Sequence, residues 1–123
     1  MTSAITTDLT DGAGALVLLA NDLLSKALEL RCSDMHVEPE QDCVVLRYLI
    51  DKKPIHETRL PKDVHSELAF CYKALVGMDM KQSGRPQDKR ATIFIAGKEV
   101  TIRITAIPGE FGETIACSFK FSE

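Results

Sequence analysis

The chain has 123 residues, a formal net charge of -3 at pH 7 and 45% apolar residues. That length holds one domain with a core of its own, and the acidic balance argues against a dedicated nucleic-acid binder, whose domain is normally basic. The longest apolar run, Ala13 to Ala20 interrupted by Gly14, is far too short to span a bilayer, and no basic region precedes it as a secretory signal requires.

Met1 to Gly14, rich in Thr, Ser, Asp and Gly, reads as a mobile arm that leaves residues 15–123 as the domain. A helix is predicted from about Ala15 to Leu30. Leu16, Leu19, Leu23, Leu24, Ala27, Leu28 and Leu30 recur there at helical spacing. Asp34 to Glu38 alternates, with Asp34, His36 and Glu38 on one side and Met35 and Val37 on the other, as in a half-buried strand. Cys43 to Ile50 is an apolar strand carrying only Arg47 as a charge. Asp51-Lys52-Lys53 turns it into a returning strand, Pro54 to Leu60.

Pro61 opens a second helix, buried through Val64, Leu68, Cys71, Tyr72, Leu75 and Val76 and stopped at Gly77. Met78 to Lys89 has no period and reads as a long loop. Three strands follow. Ala91, Ile93 and Ile95 alternate with Arg90, Thr92 and Phe94. Past Gly97-Lys98, Val100, Ile102, Ile104 and Ala106 oppose Thr101, Arg103 and Thr105. A Pro108 to Gly112 loop then leads to a last strand, Thr114 to Phe121. The links between strands are too short for parallel crossovers. The expected fold is therefore α+β, a single antiparallel sheet of about six strands with two helices on one face, in the order α-β-β-β-α-β-β-β.

Cys32, Cys43, Cys71 and Cys117 form no C-x-x-C pair. They read as small reduced core residues, with disulfides or metal ligation as the alternatives. His36, His56 and His65 lack i, i+4 spacing, and no zinc site is expected. Asp34, His36 and Glu38 share a strand face, but nothing else in the chain completes a metal ligand set. Neither a phosphate loop of the type G-x-x-x-x-G-K-[ST] nor a nucleophile–base arrangement is present.

Five motifs stand in order: Cys32-Ser33-Asp34-Met35-His36-Val37-Glu38-Pro39, Leu46-Arg47-Tyr48-Leu49-Ile50-Asp51-Lys52, Arg85-Pro86-Gln87-Asp88-Lys89-Arg90, Val100 to Pro108, and Gly112-Glu113. From Leu16 to about Lys120 the chain resembles the domain that precedes the motor domain in type II secretion and type IV pilus assembly ATPases. Leu49 and Ser118 stand where that pattern has arginine, and Lys52 and Lys89 where it has turn glycines.

The resemblance implies a PAS-like domain of cytoplasmic location, with no catalytic residue or cofactor of its own. Its expected role is a binding or regulatory module, partnered by a secretion or pilus motor ATPase or that system's membrane platform. One alternative is an excised part of a full ATPase that powers pilus or pseudopilus assembly. Another is a PAS-like small-ligand sensor. Alone, a monomer or weak dimer is expected.

The resemblance points Arg90 and Arg103 at nucleotide held by a motor domain, where a planar guanidinium matches phosphate oxygens. The competing reading pairs them on the surface with Glu99 or Asp88. Arg47 and Arg85 are further contact candidates, although Arg47 also suits a hairpin-stabilising role with Asp51 and Tyr48. Ser33, Asp34, His36 and Glu38 form an expected interdomain motif. Gln87 and Asp88 are expected to brace the long loop. Phe111 is either a partner anchor or tucked onto the core.

Overall fold

A computed structural model describes residues 12–80, 84–95 and 97–122. Most of the arm expected over residues 1–14 lies outside the described residues. From Gly12 the backbone is already helical. The elements are α1 (Gly12–Glu29), β1 (Asp34–Pro39), β2 (Cys43–Ile50), β3 (Lys53–Pro61), a 3-10 turn (Lys62–Val64), α2 (His65–Leu75), β4 (Gln87–Ile95), β5 (Lys98–Ile107) and β6 (Thr114–Phe121). All six strands make one sheet, ordered β3-β2-β1-β6-β5-β4, in which every neighbouring pair is antiparallel. This is the predicted architecture. β1 and β6, from opposite ends of the sequence, meet in the middle.

One face of the sheet is covered. Met35 and Val37 of β1, Val44, Leu46 and Tyr48 of β2, Ile102 and Ile104 of β5, and Ile115 and Cys117 of β6 are fully or almost fully buried there. The helices close over them with Val17, Ala20, Leu24 and Ala27 of α1 and Leu68, Ala69, Cys71 and Tyr72 of α2. The buried stripe of α1 is thus shifted from the predicted one. Leu16 is half-buried and Leu30 exposed, while the smaller Val17 and Ala20 allow close approach. Two buried phenols tie the layers. The hydroxyl of Tyr48 donates to the Leu23 carbonyl at 2.7 Å and that of Tyr72 to the Ala20 carbonyl at 2.8 Å. An unmet hydroxyl in such a core costs more than the bond itself returns.

Both helices end in the same way. Arg31 (φ 54°) and Gly77 (φ 71°) take the left-handed conformation. Their neighbours Cys32 and Met78 then donate back to the Ala27 and Lys73 carbonyls, which satisfies the last turn of each helix.

Two boundaries differ from the sequence reading. Pro61 does not open α2. Its φ of -57° and ψ of 143° are extended, so it closes β3, and α2 begins at His65 after the 3-10 turn. β4 begins at Gln87, not Arg90, because Gln87, Asp88 and Lys89 pair with Ala106, Thr105 and Ile104 of β5. Polar letters concealed these first strand residues.

Candidate functional site on the open face of the sheet

Strand pleating sends alternate residues to the uncovered face. The register aligns them in rows across it. One row runs Glu57, Arg47, His36, Ala116, Thr105 and Asp88, and a second runs Leu49, Asp34, Ser118, Arg103 and Arg90. Arg47, Arg90, Arg103, Asp34, His36, Glu38 and Asp88, singled out along the sequence in separate motifs, therefore share one surface.

Over β3, β2 and β1 the charges are matched. The Arg47 Nε donates to Glu57 Oε1 at 2.9 Å, and its Nη1 donates to Glu38 Oε2. Glu38 Oε1 also lies 3.7 Å from His36 Nδ1. Burial disfavours the Arg47 charge, but Glu38 and Glu57 outweigh burial and raise its pKa. Arg47 is thus braced by acids on both neighbouring strands, rather than by Asp51 and Tyr48. Arg59 reaches Glu40 at 3.4 Å and donates to the Cys43 thiol sulfur at 3.4 Å.

Asp34 is only 5% exposed. Lys52 Nζ stands 3.0 Å from each of its carboxylate oxygens and donates to Oδ2, which also accepts from Ser118 Oγ at 3.2 Å. Oδ1 accepts no hydrogen bond among the described residues. Burial pushes the Asp34 carboxyl up, yet the hydrogen bonds and charge of Lys52, with Ser33 and Ser118, hold it below the usual carboxylate value. Lys52 and Ser118 are two of the positions where the chain departs from the family pattern. Both departures meet at this carboxylate. Lys52 does so from a left-handed backbone (φ 67°) that glycine adopts without strain. Ser33 pins the start of β1. Its Oγ donates to the Leu49 carbonyl at 3.2 Å and accepts the Lys52 N–H.

Over β6, β5 and β4 the charges are not matched. Arg103 is held by Asp88 in bidentate fashion, Nε to Oδ1 at 2.9 Å and Nη2 to Oδ2 at 2.5 Å. Hydrogen bonds from Arg103 lower the Asp88 pKa, with Arg90 adding to the effect. The Arg90 side chain, opposite Arg103 in register, makes no hydrogen bond or ion pair among the described residues, and neither does that of Lys120. Arg90, Thr101, Arg103, Ser118, Phe119 and Lys120 line a shallow hollow of about 180 Å³. A neighbouring hollow of about 310 Å³ shares Arg90, Thr101 and Lys120. Strand alternation marks Lys120 as an open-face cation, a signal the motif reading passed over.

The remaining candidates lie elsewhere. The Gln87 amide closes on the Asp79 backbone, accepting its N–H at 3.1 Å and donating to its carbonyl at 3.0 Å, so it does brace the connection. Asp88 does not, because it is a strand residue committed to Arg103. Arg85 is exposed on that connection and lines a separate hollow with Asp79, Pro86 and Gln87. Phe111 is 41% exposed in the β5–β6 loop, with Lys62 Nζ 5.6 Å from its ring centre. All four cysteines are free, and burial raises Cys32, Cys71 and Cys117, the last to about 12. Among the described residues, no group of His, Cys, Asp and Glu side chains is placed to hold a metal ion.

One polar cluster was missed in the sequence. Lys73 of α2, buried within the apolar stripe of its helix, donates to both oxygens of Glu113, at 2.9 and 3.2 Å. His65 Nε2 lies 2.7 Å from the Glu113 carbonyl oxygen. A Cβ at Gly112 (φ 128°) would stand 2.8 Å from the His65 ring. The Gly112-Glu113 motif thus clamps the β5–β6 loop onto α2, beside a cleft of about 420 Å³.

Residues 9–119 match the Type II/IV secretion system protein family, and the chain belongs to it. The match falls on the N-terminal part of these proteins. Type II secretion system protein HxcR of Pseudomonas aeruginosa is 31% identical over 108 residues, 88% of this chain and 23% of the relative. Type II secretion system protein E of Aeromonas hydrophila is 30% identical over 85% of this chain and 21% of its own length. Type IV pilus assembly ATPase PilB of Myxococcus xanthus is 32% identical over 81% and 18%. The chain therefore spans about a fifth of the length of these relatives. No helix among the described residues is long and apolar enough to cross a membrane.

Proposed function

We propose that this member of the type II/IV secretion system family is a non-catalytic contact module of a secretion or pilus motor. Its task is to present the cations of β4, β5 and β6 to nucleotide phosphates held by an ATPase motor domain. The observation that carries this reading is the pair of unmatched charges, Arg90 and Lys120, beside Arg103 on one flat surface. Guanidinium groups delivered from a separate domain stabilise charge developing on a transferred phosphoryl group. The 123 residues contain no phosphate loop, so on this reading hydrolysis belongs to a motor domain outside them. The fold supports the same assignment, since neighbouring strands fix the spacing of the two arginines, with Arg103 held by Asp88 and Arg90 directly opposite it.

The test is a titration of the purified chain against a family motor domain loaded with a non-hydrolysable ATP analogue. Binding that weakens about tenfold or more in Arg90→Ala and Arg103→Ala is expected. Equal affinity with and without nucleotide, unchanged in both variants, would remove the proposal.

A further inference from the structure

The sheet ends in two edge strands, β3 and β4, and the two edges are built differently. β3 carries Pro54 and Pro61 near its ends, with His56, Glu57 and Arg59 between them. Prolines and charges of this kind keep a further strand from adding to an edge. β4 instead finishes on Ala91-Thr92-Ile93-Phe94-Ile95, with no charge and no proline. Phe94 is 65% exposed, more than any other large apolar side chain among the described residues. Ile95 pairs with Lys98 with only residues 96 and 97 between them, so that pair exchanges both of its backbone hydrogen bonds. Alternation then turns the N–H and C=O of Asp88, Arg90, Thr92 and Phe94 away from β5. The Thr92 and Thr101 hydroxyls agree with this, since they meet at 3.0 Å and side chains stand closest in pairs that lack those bonds. Among the described residues, no other backbone group meets these outward ones.

We propose that the β4 edge is a docking surface for a second copy of this chain, whose β4 pairs with it antiparallel about a two-fold axis at Thr92. The charges along β4 select that register. An axis at Lys89 sets Lys89 against itself and one at Arg90 sets Arg90 against itself, and like charges directly opposite repel. An axis at Ala91 sets Lys89 against Ile93 and Asp88 against Phe94, and one at Ile93 leaves Arg90 opposite the β4–β5 turn. With the axis at Thr92, Arg90 of each copy faces Phe94 of the other. That is a cation–π contact made twice by symmetry, while Ala91 faces Ile93 on the helix side of the sheet. The unmatched guanidinium and the exposed ring thereby cover each other, and the outward backbone groups of Arg90, Thr92 and Phe94 gain partners. This dimer hides Arg90 and so excludes the motor contact proposed above, but it stands whether or not that contact exists.

The experiment measures the mass of the whole chain by sedimentation equilibrium over a range of concentrations, with no other protein present. A reversible rise from monomer to dimer is expected. Phe94 is exposed, so its variants should keep the parent melting temperature when dilute. Phe94→Lys sets a second cation opposite Arg90 at two symmetric places and should weaken the dimer about tenfold or more. Phe94→Glu sets a carboxylate there and should hold the dimer at least as well as the parent. This pair of variants separates strand pairing from adhesion of an apolar patch, which both substitutions would abolish. Register is read by Thr92→Cys in a Cys43→Ser background, since Cys43 is the one cysteine that is not buried. Directly opposite residues stand within disulfide reach, so Thr92→Cys should form a linked dimer on mild oxidation. A chain that stays monomeric at every concentration overturns the inference. So does a dimer that Phe94→Lys leaves intact, one that Phe94→Glu also abolishes, or one in which Thr92→Cys does not link. Motor binding unaffected by Arg90→Ala would remove only the reading under Proposed function.

Discussion

On the open face, β3, β2 and β1 hold their arginines in carboxylate contacts, Arg47 with Glu38 and Glu57 and Arg59 with Glu40. Across β6, β5 and β4 only Arg103 is so held, and Arg90 and Lys120 have no such partner among the described residues. The first half fastens neighbouring strands through ion pairs, with Arg47 and Glu38 partly shielded and Arg59 and Glu40 exposed. The second keeps its charge hydrated and available. Polar residues that serve stability and polar residues that serve contact are thus separated along one sheet, although strand alternation exposes both to the same side.

The largest effect expected lies beneath the sheet's other face and sets the scale. Lys73→Met leaves the Glu113 carboxylate buried without its partner and should lose about 3–5 kcal/mol in urea unfolding. Replacing both residues with apolar ones should recover most of that loss.

On the matched half, Lys52→Met keeps the side-chain length and removes only the charge facing Asp34. A loss of about 1–2 kcal/mol is expected, limited by the solvent exposure of Lys52. The pH dependence sharpens this. The folded Asp34 carboxyl sits below its ordinary value of 3.8, so its ionised form stabilises the fold above that pH. The stabilisation disappears as pH falls through the lower folded value. Thermal melts taken into acid should therefore fall less steeply in Lys52→Met than in the parent chain.

On the unmatched half, Arg90→Ala and Lys120→Ala should change unfolding free energy by no more than about 0.5 kcal/mol. A loss several times larger at either position would erase the distinction between the halves.

The smallest effect is chemical. Cys43, half-buried on the matched half beside Arg59, should be the cysteine alkylated in the native state. Cys32, Cys71 and Cys117 should react only on unfolding, which mass spectrometry of iodoacetamide-treated protein reads directly.

The α-β-β-β-α-β-β-β order was legible because β2 is an apolar run broken only by Arg47 and bounded by turn residues, β5 alternates clearly and the links between strands are short. The start of β4 was not, since Gln87, Asp88 and Lys89 pair through backbone groups that carry no side-chain signature. The interdomain motif was read as a unit, yet Asp34 and Glu38 serve different cations, which only the strand register decides. Arg103 takes the surface pairing with Asp88 that was one of its two readings, and it also lines a hollow with Arg90 and Lys120. Lys73 and Glu113 were illegible because forty residues separate them, and no local pattern announces a buried ion pair between a helix and a distant loop.

The most direct measurement is a map of amide shifts in this chain as a nucleotide-loaded motor domain is added. The account predicts that β4, β5 and β6 around Arg90, Arg103 and Lys120 move together while β2 and β3 stay still. Shifts centred on Arg47, Glu57 and Arg59, with the Arg90 region unmoved, would contradict it.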